Sequence, residues 1–295
     1  MGVAALSAEL SATHVLHVRA GVSLLVHRDW QDSLDVEALL RGVPVAAWGT
    51  PVAHDLKGRA AVHVLATARG ELVAKRIERG GLLAFLARRW FVDAARPLRE
   101  AAVAEAYRRR GGRTPVVVVA RSRRGAFGLH ALELATARWP AQGDLAEVLA
   151  VARNEPRAAV LLARAAGRTL RQMHDLGLQH RDLQVRNLLV PRGFPGPGGA
   201  HDPEPFVVLD LDRCRIGQPL EARERRRQMA RLFRSLAKQG LLPVPRGSAA
   251  AFTRGYAGAG DPRRVSPELG STGRLVRRAV ASARAAVAWR GGFRS

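Results

Sequence analysis

The chain has 295 residues, with 48 Lys and Arg against 25 Asp and Glu, a formal net charge of +23, and 47% hydrophobic residues. This is a globular composition with material for a substantial core, and it excludes a disordered chain. Cys214 is the only cysteine, which excludes an intramolecular disulfide. No apolar run approaches the ~18 residues of a membrane helix, and Met1–Thr13 has no basic segment ahead of its apolar residues, so no secretory leader is expected.

Two readings of the charge stand side by side. It implies an anionic partner: nucleic acid, a membrane surface or a phosphorylated substrate. It also fits the coding bias of a GC-rich genome, because Lys57, Lys75 and Lys238 are the only lysines among the cations. Aromatic residues are 5% and do not interleave with the basic ones, so no nucleic-acid partner is expected.

In chain order, residues 1–50 are weakly patterned, with a short helix over Ser33–Leu40 ended by Gly42 and Pro44. Residues 51–137 read as a β-rich lobe. Ala61–Leu65 and Glu71–Ile77 alternate as strands around a turn at Arg69-Gly70. A helix follows Pro97 to about Arg109, and Val116–Ala120 and Leu129–Leu134 read as strands. Residues 138–240 read as a mainly helical lobe. Asp144 caps a helix over Leu145–Val151, and a longer helix runs from about Arg157 to Leu176 with Gly177 beyond its end. Strands are expected at Asn187–Val190 and Phe206–Leu211, separated by a loop rich in Gly and Pro. A helix over Leu220–Gln239 carries Met229, Leu232, Phe233 and Leu236 at helical spacing. Residues 241–295 read as a tail with turns and a basic helix, Thr272–Trp289. The fold class expected is α+β.

The chemistry concentrates in His180-Arg181-Asp182-Leu183-Gln184-Val185-Arg186-Asn187 and in Val207-Val208-Leu209-Asp210-Leu211-Asp212. An Asp with an Asn five positions on, then an Asp at a strand end, is what phosphoryl transfer uses. Asp182 is placed to accept the proton of an attacking hydroxyl. Asn187 and Asp210 are oxygen ligands suited to Mg²⁺. A second His-Arg-Asp at 27–29 has Leu34 in place of the Asn and reads as chance. Lys75, late in a strand, is the cation for nucleotide phosphates, with Arg76 as a competitor. Glu100 is its expected carboxylate partner and Glu105 the alternative; five residues apart on a helix, the two cannot face the same way. The turn at Lys57-Gly58-Arg59 can cover phosphates with backbone N–H groups, or be a plain surface turn. His180 reads as a structural loop residue, Arg181 as a partner for Asp212, and Cys214 as a packed small residue.

These segments resemble the lipopolysaccharide core kinases, most of all the 3-deoxy-D-manno-octulosonic acid (Kdo) kinases. The resemblance rests on Lys75-Arg76-Ile77-Glu78-Arg79-Gly80-Gly81-Leu82, Arg99-Glu100, Met173-His174-Asp175-Leu176-Gly177, the loop from His180 to Asn187, Leu209 to Arg213, and Met229 to Leu236. It implies a two-lobed protein-kinase-like fold that uses ATP and Mg²⁺. It implies phosphorylation of a Kdo or heptose hydroxyl on a lipid A–core acceptor, at the cytoplasmic face of a bacterial inner membrane. Carried over, Asp182 is catalytic, Asn187 and Asp210 hold the metal, and Lys75 meets phosphate. An anionic membrane surface is then a second expected partner, with Arg223–Arg227 and Arg274–Arg278 as candidate contact segments that read equally as solvated helix faces. The rivals are a protein or small-molecule kinase of the same fold, and a catalytically inactive basic binding protein. The short stretch between Asp212 and the helix near Leu220 argues against a regulated protein kinase, and the intact Asp182, Asn187 and Asp210 argue against an inactive one.

Overall fold

His14–Arg19 (β1) and Val22–His27 (β2) form an antiparallel hairpin where the sequence shows little pattern. The pattern is hidden because His14 is buried, with its Nε2 donating to Val117 O at 2.9 Å, and because the turn is made by Ala20 and Gly21 at positive φ. The computed structural model describes residues 10–52, 62–78, 90–196, 203–242 and 244–258. The expected turn at Lys57-Gly58, the Arg79-Gly80-Gly81 segment and the basic tail with Arg274–Arg278 lie outside them.

The chain divides into two compact units, residues 1–109 with 115–139 and residues 110–114 with 140–295. In the first unit, Val36–Arg41 (α1), Thr50–Val52 (β3), Val62–Thr67 (β4), Gly70–Arg76 (β5), Arg96–Arg109 (α2), Val117–Arg124 (β6) and His130–Ala137 (β7) follow the hairpin. The strands form one antiparallel sheet in the order β1-β2-β6-β7-β5-β4-β3. Asp35 accepts from Ala38 N–H to cap α1, and Gly42 ends it in the left-handed region at φ 104°.

Alternation along the strands gives the sheet two faces. One carries Leu24, Val119, Ala135, Ala74, Leu72 and Leu65, and packs against Trp30, Leu34, Leu39 and Val45. Residues 28–47 thus pack on this face of the sheet. Amid these apolar residues sits Arg121, 2% exposed. It is in register with Leu24 on one side and Glu133 on the other, and Glu133 in turn with Arg76. Arg121 donates Nε to Glu133 Oε2 at 2.7 Å, Nη2 to the same oxygen, and Nη1 to Leu39 O at 2.7 Å and Val43 O at 2.6 Å. Its guanidinium therefore ties the covering segment to the sheet, and its charge is met by a buried carboxylate.

In the second unit, Ala141–Asp144 (β8) runs into Leu145–Val151 (α3) through a reciprocal cap between Asp144 and Glu147. Pro156–Asp175 (α4), Leu178–Gln179 (β9), Leu188–Pro191 (β10), Val207–Val208 (β11), Arg215–Ile216 (β12), Ala222–Lys238 (α5) and Ser248–Ala257 (α6) complete it. Small sheets pair β11-β10-β8 and β12-β9. The expected strand over Phe206–Leu211 is shorter than its apolar run, because the chain turns at Asp210, φ 58°. Helix α6 replaces the turns expected there. Its Gly255 meets α4, where a Cβ would collide with Arg164 O, and Gly167 of α4 meets Phe252 O in the same way.

Candidate functional site

Strand β5 sends Lys75 and Arg76 to opposite faces. Lys75 Nζ lies 3.4 Å from Glu100 Oε1 on α2, and Glu100 is 5% exposed. Arg76 points to the covered face, 3.7 Å from Glu133 Oε1. Glu105 pairs with Arg108 at 3.0 Å. Of the alternatives the sequence leaves open, the structure pairs Lys75 with Glu100.

In the second unit, the loop after β9 is held from behind by α5. Gln228 Oε1 accepts from His180 N–H at 3.2 Å, and its Nε2 donates to Leu178 O at 3.4 Å. Ser235 Oγ accepts from Val185 N–H at 3.2 Å. Both side chains sit on the apolar stripe of α5, and a polar residue at a stripe position is the signal by which sequence alone marks such clamps. His180 is fully buried and donates Nε2–H to Leu209 O at 3.0 Å. Burial holds its pKa below the ordinary value, with the Leu209 bond and the Asp210 and Asp182 charges opposing. It joins two loops and is not placed as a base.

With the loop so held, Asp182 is exposed, its Oδ2 accepting from Gln184 Nε2 at 2.7 Å. Asn187 Nδ2 donates to Asp182 O at 2.8 Å, which turns the amide oxygen away from that bond. Leu209 N–H donates to Asn187 O at 2.8 Å, so Asp210 follows directly on the segment that pairs with Asn187. Asp182, Asn187 and Asp210 thereby stand on three adjoining backbone segments. An amide oxygen and a carboxylate are hard donors that suit Mg²⁺, which retains several waters and takes few protein ligands. Among the described residues, no cluster of three or more His, Cys, Asp or Glu suggests a soft or all-protein metal site.

The turn after Asp210 is compact. Cys214 N–H donates to Leu211 O at 3.0 Å, and Sγ lies 3.5 Å from Asp212 O, with the residue buried. Asp212 lies 3.8 Å from Arg213 Nε, and Arg181 is exposed. The second His-Arg-Asp caps a 3-10 turn in the first unit, where His27 Nδ1 accepts from Asp29 N–H at 3.3 Å and Arg28 donates to Ser11 O.

A family model described as "Lipopolysaccharide kinase (Kdo/WaaP) family" matches residues 46–256. Among solved structures, "WaaP in complex with acyl carrier protein" matches with a TM-score of 0.51 at 22% identity, over 78% of this chain and 87% of that one. At that identity the likeness speaks for the fold, which is protein-kinase-like, with a β-rich first unit and a helical second. No curated protein sequence matches. The hairpin β1–β2 and helix α1 precede the matched region, yet they extend and cover its sheet.

Proposed function

Because this chain belongs to the lipopolysaccharide kinase (Kdo/WaaP) family, we propose that it transfers the γ-phosphoryl group of ATP to a Kdo or heptose hydroxyl of a lipid A–core glycolipid, on the cytoplasmic face of the inner membrane. The observation that carries this reading is the placement of Asp182, Asn187 and Asp210 on adjoining segments tied by the Asn187–Asp182 and Leu209–Asn187 bonds.

Asp182 orients the sugar hydroxyl and accepts its proton as the oxygen attacks phosphorus, while the bond to the leaving ADP oxygen breaks. Gln184, bonded to the same carboxylate, fixes its rotamer. Asn187 and Asp210 would hold Mg²⁺, which neutralises charge on the phosphate oxygens. Lys75, steadied by Glu100, pairs with the nucleotide phosphates. Only β12 and short turns separate Asp212 from α5, which leaves little room for the activation segment of a regulated protein kinase. An anionic acceptor in an anionic membrane also gives the +23 charge a use.

The test is phosphate transfer from γ-labelled ATP with Mg²⁺ to Kdo–lipid A, a generic protein, or no acceptor. Label on the glycolipid is expected. Asp182→Asn should lower kcat by about 10²–10⁴ with nucleotide binding intact, and Asp210→Asn should weaken Mg·ATP binding itself. Label on protein alone, or wild-type turnover by Asp182→Asn, overturns the reading.

A further inference from the structure

The β6–β7 hairpin ends in Gly125-Ala126-Phe127-Gly128, and Phe127 at its tip is 99% exposed. This is a fixed point and not a loose loop. Arg124 pairs with His130, Gly125 N–H donates to Leu129 O at 2.7 Å, and Leu129 N–H donates to Ala126 O at 3.1 Å. Phe127 and Gly128 adopt left-handed conformations, φ 55° and 70°, which turn the chain tightly and hold the ring outward. A phenylalanine in that conformation at full exposure adds nothing to the core and carries backbone strain.

The surroundings extend the apolar tip. Phe91 bridges to His130 at the base of the hairpin, and the next residue, Val92, is 76% exposed. Trp90 lies against Gly125 so closely that a Cβ there would collide with its ring. On the other side Arg124 N–H donates to Gly21 O at 2.8 Å, in the β1–β2 turn, which follows Val18, 68% exposed. Three exposed large apolar residues thus border one end of the sheet.

That end is collared by positive charge. Arg123 and Arg124 are exposed and have no acidic partner among the described residues. Arg96 lies over the Phe91 ring at 4.9 Å from its centroid, and Arg19 is exposed. No acidic residue occurs from Arg121 to His130 at the tip itself. The nearby carboxylates are engaged, Glu37 with Arg19 and Asp93 with Arg99. An aromatic tip within a ring of guanidinium groups matches a surface that is anionic outside and apolar a few ångströms within.

We propose that this hairpin end docks the first unit on an anionic lipid bilayer, with Phe127 entering the acyl boundary and Arg123 and Arg124 meeting headgroup phosphates. The proposal rests on the kinase reading only for its purpose, since a glycolipid acceptor must be met at a membrane; the binding itself needs no catalysis. The full-length protein is sedimented with vesicles of phosphatidylglycerol and phosphatidylethanolamine, and with neutral phosphatidylcholine vesicles. Wild type should partition onto the anionic vesicles. Phe127→Ser and the Arg123→Ser/Arg124→Ser double variant should each bind at least tenfold more weakly, with unchanged melting temperature. Phe127→Ser should keep wild-type turnover on detergent-dispersed acceptor, whereas Asp182→Asn should sediment like wild type. Undiminished sedimentation of Phe127→Ser, or equal binding of wild type to neutral vesicles, overturns the proposal and leaves the kinase reading untouched.

Discussion

Replacing Arg121 by Met removes four hydrogen bonds from the middle of the covered face. Two go to Glu133, which is itself buried, and two to the carbonyls of Leu39 and Val43. Breaking a buried ion pair from one side costs about 3–5 kcal/mol. The two carbonyls lose charge-assisted bonds, but the segment that holds them can relax towards water. A net loss of about 4–6 kcal/mol is expected, comparable with the whole stability of many domains, which is about 5–15 kcal/mol. Arg121→Lys keeps the charge, but an ammonium cannot span the carboxylate and both carbonyls; about half the loss is expected. Glu133→Gln strands Arg121 in turn, and Arg76, 3.7 Å from the same carboxylate, is a second cation left without its charge partner there. The double variant Arg121→Met/Glu133→Gln should therefore lose less than the sum of the single losses, by a coupling of about 2–3 kcal/mol. Urea unfolding followed by tryptophan fluorescence reads this directly, because Trp30 belongs to the same core cluster. If Arg121→Met costs under about 1 kcal/mol, or if the two changes simply add, the anchor described for residues 28–47 is wrong.

Three further outcomes follow from other parts of the structure. Lys75→Met removes the ammonium beside buried Glu100 and should abolish turnover; with Lys75 about a third exposed, the stability loss should stay near 1–3 kcal/mol. Adding Glu100→Gln should restore stability in urea but not phosphate transfer, and recovered activity would remove Lys75 from the phosphate site. Gln228→Leu leaves His180 N–H and Leu178 O without their partner, at about 2–4 kcal/mol. Because it loosens the loop that carries Asp182, kcat should fall more than KM rises, and an equal change in both would point to a global defect. His174 is buried, with Nδ1 bonded to Tyr256 OH at 2.7 Å, and its pKa is pushed down to about 3 by burial and by Arg225 and Arg171. The unfolded chain then takes up the proton first as pH falls below 6.5, so stability is lost between that value and about 3. This residue should cost about 2 kcal/mol by pH 5. Urea midpoints at pH 7.5 and 5 should show the loss in wild type and a flatter profile in His174→Gln.

What the sequence discloses depends on how each element is encoded. Helix α3 is announced by its reciprocal cap, and β4 and β5 by alternating apolar residues around Arg69-Gly70. The hairpin β1–β2 is not, since a buried histidine stands at a core position and Ala20 occupies a turn site usually filled by Asn or Gly. Helix α6 is hidden by small residues whose role is to permit close approach, not to fill space. In the candidate site, Asp182, Asn187 and Asp210 are legible from spacing because their chemistry is written in their own side chains. Gln228 and Ser235 show in the sequence only as polar residues on an apolar stripe; the loop they hold, some fifty residues earlier in the chain, is disclosed by the fold alone. Likewise the choice of Glu100 over Glu105 needs the rotation of α2 against the sheet.

The crossing of α4 and α6 also decides where α6 can rest. Ser248-Ala249-Ala250-Ala251 and the residues that follow are so plain that many apolar seatings would bury similar area. A slide by one turn, about 5.4 Å, would carry Ala251 to the place of Gly255, and its Cβ would strike Arg164 O. Gly167 imposes the matching demand from the other helix. Two missing methyl groups therefore select one register among many, and the Tyr256–His174 bond closes only in that register.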